Sequence, residues 1–300
     1  MSAQETQVLK LDAQAGRQLS DRLQRAGYMF KNAPHAWFQA RGENVSVTHY
    51  KSGKLVVQGK ALALWCERFL GQGAVSVSKP GPEKIRGAHL GSDEAGKGDS
   101  FGPLVVCGVA VPEEQLAVLK SMGVGDSKAI ADGRIRLLAD QIRKHCPYRE
   151  IFLEPEEYNH EWKAAGDNLN TLLVKLHVDV LTKLERETGI QQAVVDRFAA
   201  KEPVRQKLGL LNSAWKVLEV PRAESYMAVG AASILARDRF LEAMERASET
   251  WAVDFPLGSG APVAPAVRRF LEIHGPDSLP KVCKMHFRNI QKIVEKGLWS

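Results

Sequence analysis

An acid pair closes an apolar, strand-like segment. GSDEAGKGDSFGPLVV, residues 91–106, sets Asp93 and Glu94 side by side ahead of Gly96-Lys97-Gly98, then resumes an apolar run. Adjacent carboxylates repel one another and resist burial. A fold that keeps them must bring that strand to the rim of its sheet, facing a cation or a polar substrate. A second short apolar segment, QQAVVDRF (191–198), also ends in an acid, Asp196. Strand ends are where α/β sheets place their sites. Alternation points Asp93 and Glu94 to opposite faces, and the glycines at 96 and 98 ease a bend that lets both acids converge on one cation. Carboxylate oxygens without His or Cys beside them favour Mg²⁺ or Mn²⁺. Two such ions activate a water and stabilise the leaving oxygen in phosphodiester hydrolysis. The bare backbone of the Gly-x-Gly suits a close approach by a sugar–phosphate.

Periodicity divides the chain in two. VLKLD (8–12) alternates as a strand and AGRQLSDRLQRAGY (15–28) has helical spacing. Val45, Val47 and His49 alternate with polar neighbours before the Ser52-Gly53 turn into Lys54-Leu-Val-Val-Gln, a hairpin signal. ALALWCERFL closes this part as a helix. A stretch rich in Gly, Ser and Pro follows, and residues 76–85 are taken as the linker. Beyond it, strands are expected at HLGSDEAG, GPLVVCGVAV, YREIFLE, QQAVVDRF and WKVLEV. Helices are expected at EEQLAVLKSMG, AIADGRIRLLADQIRKHC, 168–188 and 225–248. The 168–188 helix carries Leu169, Leu172, Leu173, Leu176, Val180 and Leu184 along one side. This order describes an α/β domain with a mixed sheet.

Charge follows the same division. Residues 1–85 hold 12 Lys and Arg against 6 Asp and Glu, whereas the other 215 residues hold 29 of each. All of the net charge of +6 therefore lies in the first part, as in a polyanion-binding module joined to a neutral body. Trp37, Phe38 and Tyr50 there are candidates for stacking on sugars or bases, with core packing as the commoner fate of such rings. Cys66, Cys107, Cys146 and Cys283 lie far apart, which argues against a zinc site and suits reduced thiols. No apolar run approaches the ~18–20 residues of a spanning helix, and the N-terminus lacks a signal core. A cytoplasmic protein without a membrane partner is expected.

The motifs together resemble the type 2 ribonucleases H, ribonuclease HIII in particular. GSDEAGKGDSFGPLVV resembles the opening motif, GVGDSKAI (123–130) the Asp-Ser-Lys motif, and PEEYN (155–159) with NLNTLLVKLH (168–177) the Tyr-Asn and Asn-x-Asn signature. VVDRFA (194–199) and RAESYMAVGAASILAR (222–237) resemble the third-acid strand and the Ala-Glu-Ser helix. FPLGSGAPV and KMHFRN resemble the C-terminal motifs, all in order over roughly 91–290.

The resemblance implies a small TATA-binding-protein-like α+β domain (1–75) that binds substrate, and a ribonuclease H-like α/β domain (86–300). It implies endonucleolytic hydrolysis of the RNA strand of RNA–DNA hybrids by two Mg²⁺ or Mn²⁺ ions, leaving 5′-phosphate and 3′-hydroxyl ends, by a monomer. Asp93, Glu94 and Asp196 would be metal ligands and Glu224 the fourth catalytic acid. Asp238 and Glu242 are alternatives for that place, and Leu241 stands where the HII branch has an Asp. Gly96, Lys97 and Gly98 would read the ribose 2′-hydroxyl. Ser127, Lys128 and Ser233 are further substrate contacts, and Lys51 and Lys54 belong to the basic domain's binding surface. His286 and Arg288 are read as a phosphate-facing pair, Phe287 as core and His177 as structural. The rival readings are a DNA nuclease of the integrase or resolvase kind and a non-enzymatic binding protein that keeps the fold.

Overall fold

A computed structural model describes residues 5–59, 62–70, 85–124, 132–199 and 201–295. The chain divides into two compact units, Met1–Lys84 and Ile85–Ser300. Residues 76–84 of the expected linker, and the Ser127-Lys128 pair, lie outside the described residues.

In the first unit β1 (Glu5–Lys10), α1 (Ala13–Arg25), β2 (Met29–Lys31), β3 (Ala36–Gly42), β4 (Val45–Tyr50), β5 (Lys54–Gly59) and α2 (Leu62–Leu70) follow in order. The sheet is antiparallel throughout, in the order β1-β5-β4-β3-β2. The first strand begins and ends earlier than the 8–12 expected. Asp12 leaves it to cap α1, its carboxylate accepting from the Ala15 amide at 2.7 Å. Leu19 and Leu23 of α1 and Trp65, Cys66 and Phe69 of α2 pack with Val47, Leu55 and Val57. One sheet face is thus buried under helices.

Register defines the other face. Lys31 pairs with Gln39, Gln39 with Thr48, Thr48 with Val56, and Val56 with Val8. The neighbouring rows add Met29, Arg41, Ser46, Gln58 and Thr6, and Lys10 opposite Lys54. Lys10, Lys31, Arg41 and Lys54 are exposed, and none of the face's described residues is acidic. Trp37 sits at a register shift in β3, exposed, with the Lys51 ammonium 5.8 Å from its ring centroid. Phe38 is core, so only one of the two neighbouring rings is free to stack on a ligand.

The second unit contains β6 (His89–Ala95), β7 (Leu104–Val111), α3 (Gln115–Ser121), α4 (Asp132–His145), β8 (Tyr148–Leu153), α5 (Pro155–Ala164) and α6 (Leu169–Thr188). Then come β9 (Gln192–Asp196), α7 (Pro203–Leu211), β10 (Lys216–Val220), α8 (Met227–Trp251), α9 (Val263–His274) and α10 (Arg288–Glu295). The sheet runs β10-β9-β6-β7-β8, antiparallel through β6, β7 and β8 and parallel through β6, β9 and β10. This is the mixed sheet of a ribonuclease H-like α/β fold. Strand β7, between β6 and β8, is buried at every residue. Val105, Cys107 and Val109 face α4, α8 and α9, while Leu104, Val106 and Ala110 face α6 and α7. No described helix is long and apolar enough to cross a membrane.

Candidate active site

β6 keeps its alternation to its last residue. Asp93 pairs with Cys107 and Glu94 with Val106, and these two residues of β7 face opposite layers of helices. The acids therefore hang on opposite faces, and the bend expected to turn both onto one cation does not occur at them. The chain turns only at Gly96, whose φ of +87° is left-handed. A Cβ there would stand 2.2 Å from the Pro103 carbonyl oxygen, so glycine is required. At Gly98 a Cβ would meet nothing within 4 Å, so its bareness serves no packing purpose and leaves the backbone open to a ligand.

Asp93 and Asp196 belong together. Ser92 pairs with Val195, one residue before each acid, so the two carboxylates end neighbouring parallel strands on the same face. The Ser233 hydroxyl, in the second turn of α8, donates to Asp93. Burial, and then the charge of Glu94, lift Asp93 to about 7. Asp196 accepts from the Ala223 amide at 3.1 Å, at the head of the short 3₁₀ turn Ala223–Ser225. That turn also carries Glu224 and leads into α8.

Glu94 has its own partners. Its Oε2 lies 3.1 Å from Nε2 of His177, and its Oε1 is ion-paired with Lys97. Burial alone would raise Glu94, but the hydrogen bond and charge of His177 and the charge of Lys97 bring it down to about 2. Burial works against the Lys97 ammonium, yet Glu94, then Asp93 and Asp196, hold it above its ordinary range. One cationic side chain thus feels all three carboxylates at once. Among the described residues no three carboxylates, imidazoles or thiols are gathered closely enough to hold a metal ion by themselves. An open array of hard oxygens acting on one positive charge fits a divalent ion whose coordination is completed by water and substrate oxygens.

The other expected acids are engaged elsewhere. Asp238 is buried and bound to Arg143 at 2.7 Å, where α4 packs on α8. Glu242 pairs with Arg239 at 2.8 Å on the same helix.

The C-terminal motifs clamp the glycine loop. Asp99 accepts from the Gly258 amide at 2.6 Å, and the Ser100 amide donates to the Gly258 carbonyl at 3.0 Å. Asn289 donates to the Ser100 hydroxyl at 2.9 Å. Lys284, fully buried, donates to the carbonyls of Asp99, Phe101 and Gly102 at 3.2, 3.3 and 2.6 Å. Asn159 of the Tyr-Asn motif ties in the same segment, donating to the Pro280 and Cys283 carbonyls and accepting from the Met285 amide. Asp99, Asn159, Lys284 and Asn289 were not singled out from the sequence. Their partners are largely backbone groups more than 100 residues away, which no local pattern reveals. His286 is stacked on Trp162, ring centroids 4.7 Å apart, which places it in an aromatic cluster beside this clamp. Phe287 is packed against the core as expected. His177, read as structural, is completely buried and bonded to Ser92 and Glu94 of β6.

Known proteins share this arrangement. The sequence profile described as Ribonuclease HII matches residues 90–290, and one described as a domain of unknown function matches residues 6–80. The chain is 35% identical to the ribonuclease HIII of Protochlamydia amoebophila over 292 residues, 96% of this chain and 97% of that protein. It is 38% identical to that of Chlamydia abortus over 281 residues, 92% and 93% of the two chains. A crystal structure of Bst-RNase HIII in complex with Mn²⁺ superposes with a TM-score of 0.65 at 29% identity, covering 97% of this chain and 99% of that one. RNase H3 of Aquifex aeolicus superposes with a TM-score of 0.57 at 26% identity, covering 94% and 100%. With both units matched and the acid-bearing strands in register, the chain belongs to the ribonuclease HIII family.

Proposed function

We propose that this protein is a metal-dependent endoribonuclease that hydrolyses the RNA strand of RNA–DNA hybrids, leaving 5′-phosphate and 3′-hydroxyl ends. The observation that carries this reading is the pair Asp93 and Asp196 at the ends of neighbouring parallel strands, with the open Gly98 backbone just past the turn. Asp93, Glu94 and Asp196 hold the metal, and Glu224, on the turn that grips Asp196, is the fourth acid. When bound, two Mg²⁺ or Mn²⁺ ions make water nucleophilic at neutral pH and neutralise charge on the leaving oxygen. Ser233 fixes the Asp93 carboxylate. The clamped loop presents Gly96, Lys97 and Gly98 to the ribose, where contact with the 2′-hydroxyl separates RNA from DNA. With a cation held by Glu94, the Lys97 ammonium would be available to a phosphate. Ser127 and Lys128 remain proposed phosphate contacts. In the first unit, the acid-free sheet face with Lys10, Lys31, Arg41 and Lys54 binds the hybrid's backbone, and Lys51 with Trp37 extends it. The protein is read as a cytoplasmic monomer. The test is incubation with labelled RNA–DNA hybrid, double-stranded RNA and duplex DNA, in Mg²⁺, Mn²⁺ or chelator. Only the hybrid's RNA is cut, and only with metal; equal cutting of duplex DNA would overturn the reading.

The choice of fourth acid has its own expected outcome. Glu224→Gln lowers kcat by about 10²-fold, the scale of losing one charge-stabilising group, with little change in melting temperature. Asp238→Asn does the opposite. It weakens a largely buried hydrogen bond to Arg143 worth ~1–2 kcal/mol and lowers Tm by a few degrees, with kcat within a few-fold of wild type. Steady-state kinetics and thermal melts of the two variants decide it, and the reverse ranking would place the acid on α8.

Asp93 also links stability to pH. Its folded value of about 7 lies above its ordinary 3.8. The stability this contributes is complete below about 4 and is lost as pH rises through 7. Glu94, held at about 2, does not titrate in that window. Chelator-treated protein therefore melts lower at pH 8 than at pH 6. Added Mn²⁺, which compensates the ionised pair, raises Tm more at pH 8. Melting scans at both pH values check this, and an equal metal effect at each would contradict it.

A further inference from the structure

His177 is a polar ring at the centre of an apolar helix face. It lies in α6 between Leu173, Leu176 and Leu181, and it is completely buried. A leucine would pack there without the cost of removing an imidazole from water. That cost is offset by two hydrogen bonds, both to β6. Nε2 lies 3.1 Å from Oε2 of Glu94, and Nδ1 lies 2.8 Å from the Ser92 hydroxyl. An ionised carboxylate only accepts, so Nε2 donates to it. The Ser92 hydroxyl bonds the other nitrogen, Nδ1, and fixes the rotation of the ring. The ring face is stacked on Phe198, centroids 5.5 Å apart and planes 23° apart, two residues beyond Asp196. One side chain thus touches β6 and the segment just past β9.

We propose that His177 is a positioning residue for the metal centre. It holds Oε2 of Glu94 inward and so directs Oε1, the oxygen now paired with Lys97, to the metal. This rests on the reading of Glu94 as a metal ligand. Unlike Asp93, which shares its face with Asp196 and Ser233, Glu94 projects from the opposite face and has no neighbouring acid strand to orient it. Hydrogen-bond partners behind metal ligands orient them and typically govern 10–100-fold in metal affinity or activity.

The test is a double-mutant cycle read by Mn²⁺ binding alone, from the electron paramagnetic resonance signal of free Mn²⁺, alongside hybrid kinetics and Tm. His177→Leu weakens Mn²⁺ binding about 10–100-fold and lowers kcat while leaving the KM for hybrid unchanged. His177→Gln, whose side-chain amide can still donate to Oε2, recovers most of both. In a Glu94→Gln background His177→Leu adds no further loss, because its effect passes through that carboxylate. Ser92→Ala keeps the ring and its packing, lowers Tm by a few degrees because Nδ1 loses its partner, and weakens Mn²⁺ binding several-fold, which carries the test even if His177→Leu does not fold. Wild-type Mn²⁺ affinity in His177→Leu or Ser92→Ala, or an undiminished His177→Leu loss in the Glu94→Gln background, overturns the proposal. Wild-type Mn²⁺ affinity in Glu94→Gln itself would instead overturn the metal-site reading beneath it.

Discussion

Asp93→Asn lowers hybrid turnover by at least ~10²-fold, the scale of removing one preorganised charge from a catalytic centre. The substitution conserves shape, and the amide oxygen still accepts from Ser233. What disappears is one of two adjacent negative charges on the α8 face, the other being Asp196. Asp93 titrates near neutrality in the absence of a cation because burial and Glu94 both oppose its charge. Its removal therefore stabilises the chelator-treated protein at pH 8 even as it weakens metal binding. The two effects have opposite signs, and a misfolded variant would not show that combination. Single-turnover cleavage, Mn²⁺ titration and a melting scan on one preparation distinguish them. Near-normal turnover would remove Asp93 from the centre.

The second large effect belongs to the first unit. Replacing Lys10, Lys31, Arg41 and Lys54 together by Gln in the full chain removes four charges from one open sheet face. If each neutralises a phosphate, the slope of log affinity against log salt falls by ~0.7–0.9 per contact, or about 3 in all. Hybrid affinity at ~0.1 M salt then drops by about 10²- to 10³-fold. The kcat at saturating hybrid changes little, since the acids lie in the second unit. Exposed side chains on a sheet whose core is on its other face are cheap to replace, so Tm stays near wild type. Binding measured across a salt series for wild type and variant checks this. Unchanged slope and affinity would show that the face meets some other partner.

Much of this architecture was legible because the relevant signals are local. β6, β7 and β9 are short apolar runs between turn residues, and the acids late in β6 and β9 interrupt a pattern that is otherwise easy to read. The hairpin at Ser52-Gly53 and the leucine stripe of α6 are likewise properties of neighbouring residues. Errors fell where the local signal is weak or was passed over. β2 is three exposed residues, Met29–Lys31, and has no buried alternate to betray it. α5 is hidden inside the PEEYN motif, although Pro155 at its first turn and Glu157 bonding back to the Glu154 amide make a start signal. Asp12 ended up as a cap, which its place ahead of a helical run also signals. Glu224, Asp238 and Glu242 read as equals in the sequence, and the ion pairs of Asp238 with Arg143 and of Glu242 with Arg239 exist only in three dimensions. Lys284 illustrates the limit. A lysine in a basic-looking C-terminal motif reads as solvated, and only the three carbonyls around its ammonium explain its burial. His177 is the same case, with partners 83 and 85 residues away.

The most direct measurement uses a DNA duplex in which one strand carries four consecutive ribonucleotides, with both strands end-labelled. The nuclease cuts only between or beside those ribonucleotides and only with Mg²⁺ or Mn²⁺. It leaves 3′-hydroxyl and 5′-phosphate ends, because water rather than the neighbouring 2′-hydroxyl attacks phosphorus. The complementary DNA strand stays intact, and Asp93→Asn abolishes the cuts. Cleavage within the all-DNA segments, or 2′,3′-cyclic phosphate ends formed without metal, would contradict an acid centre that hydrolyses RNA by metal-assisted attack of water.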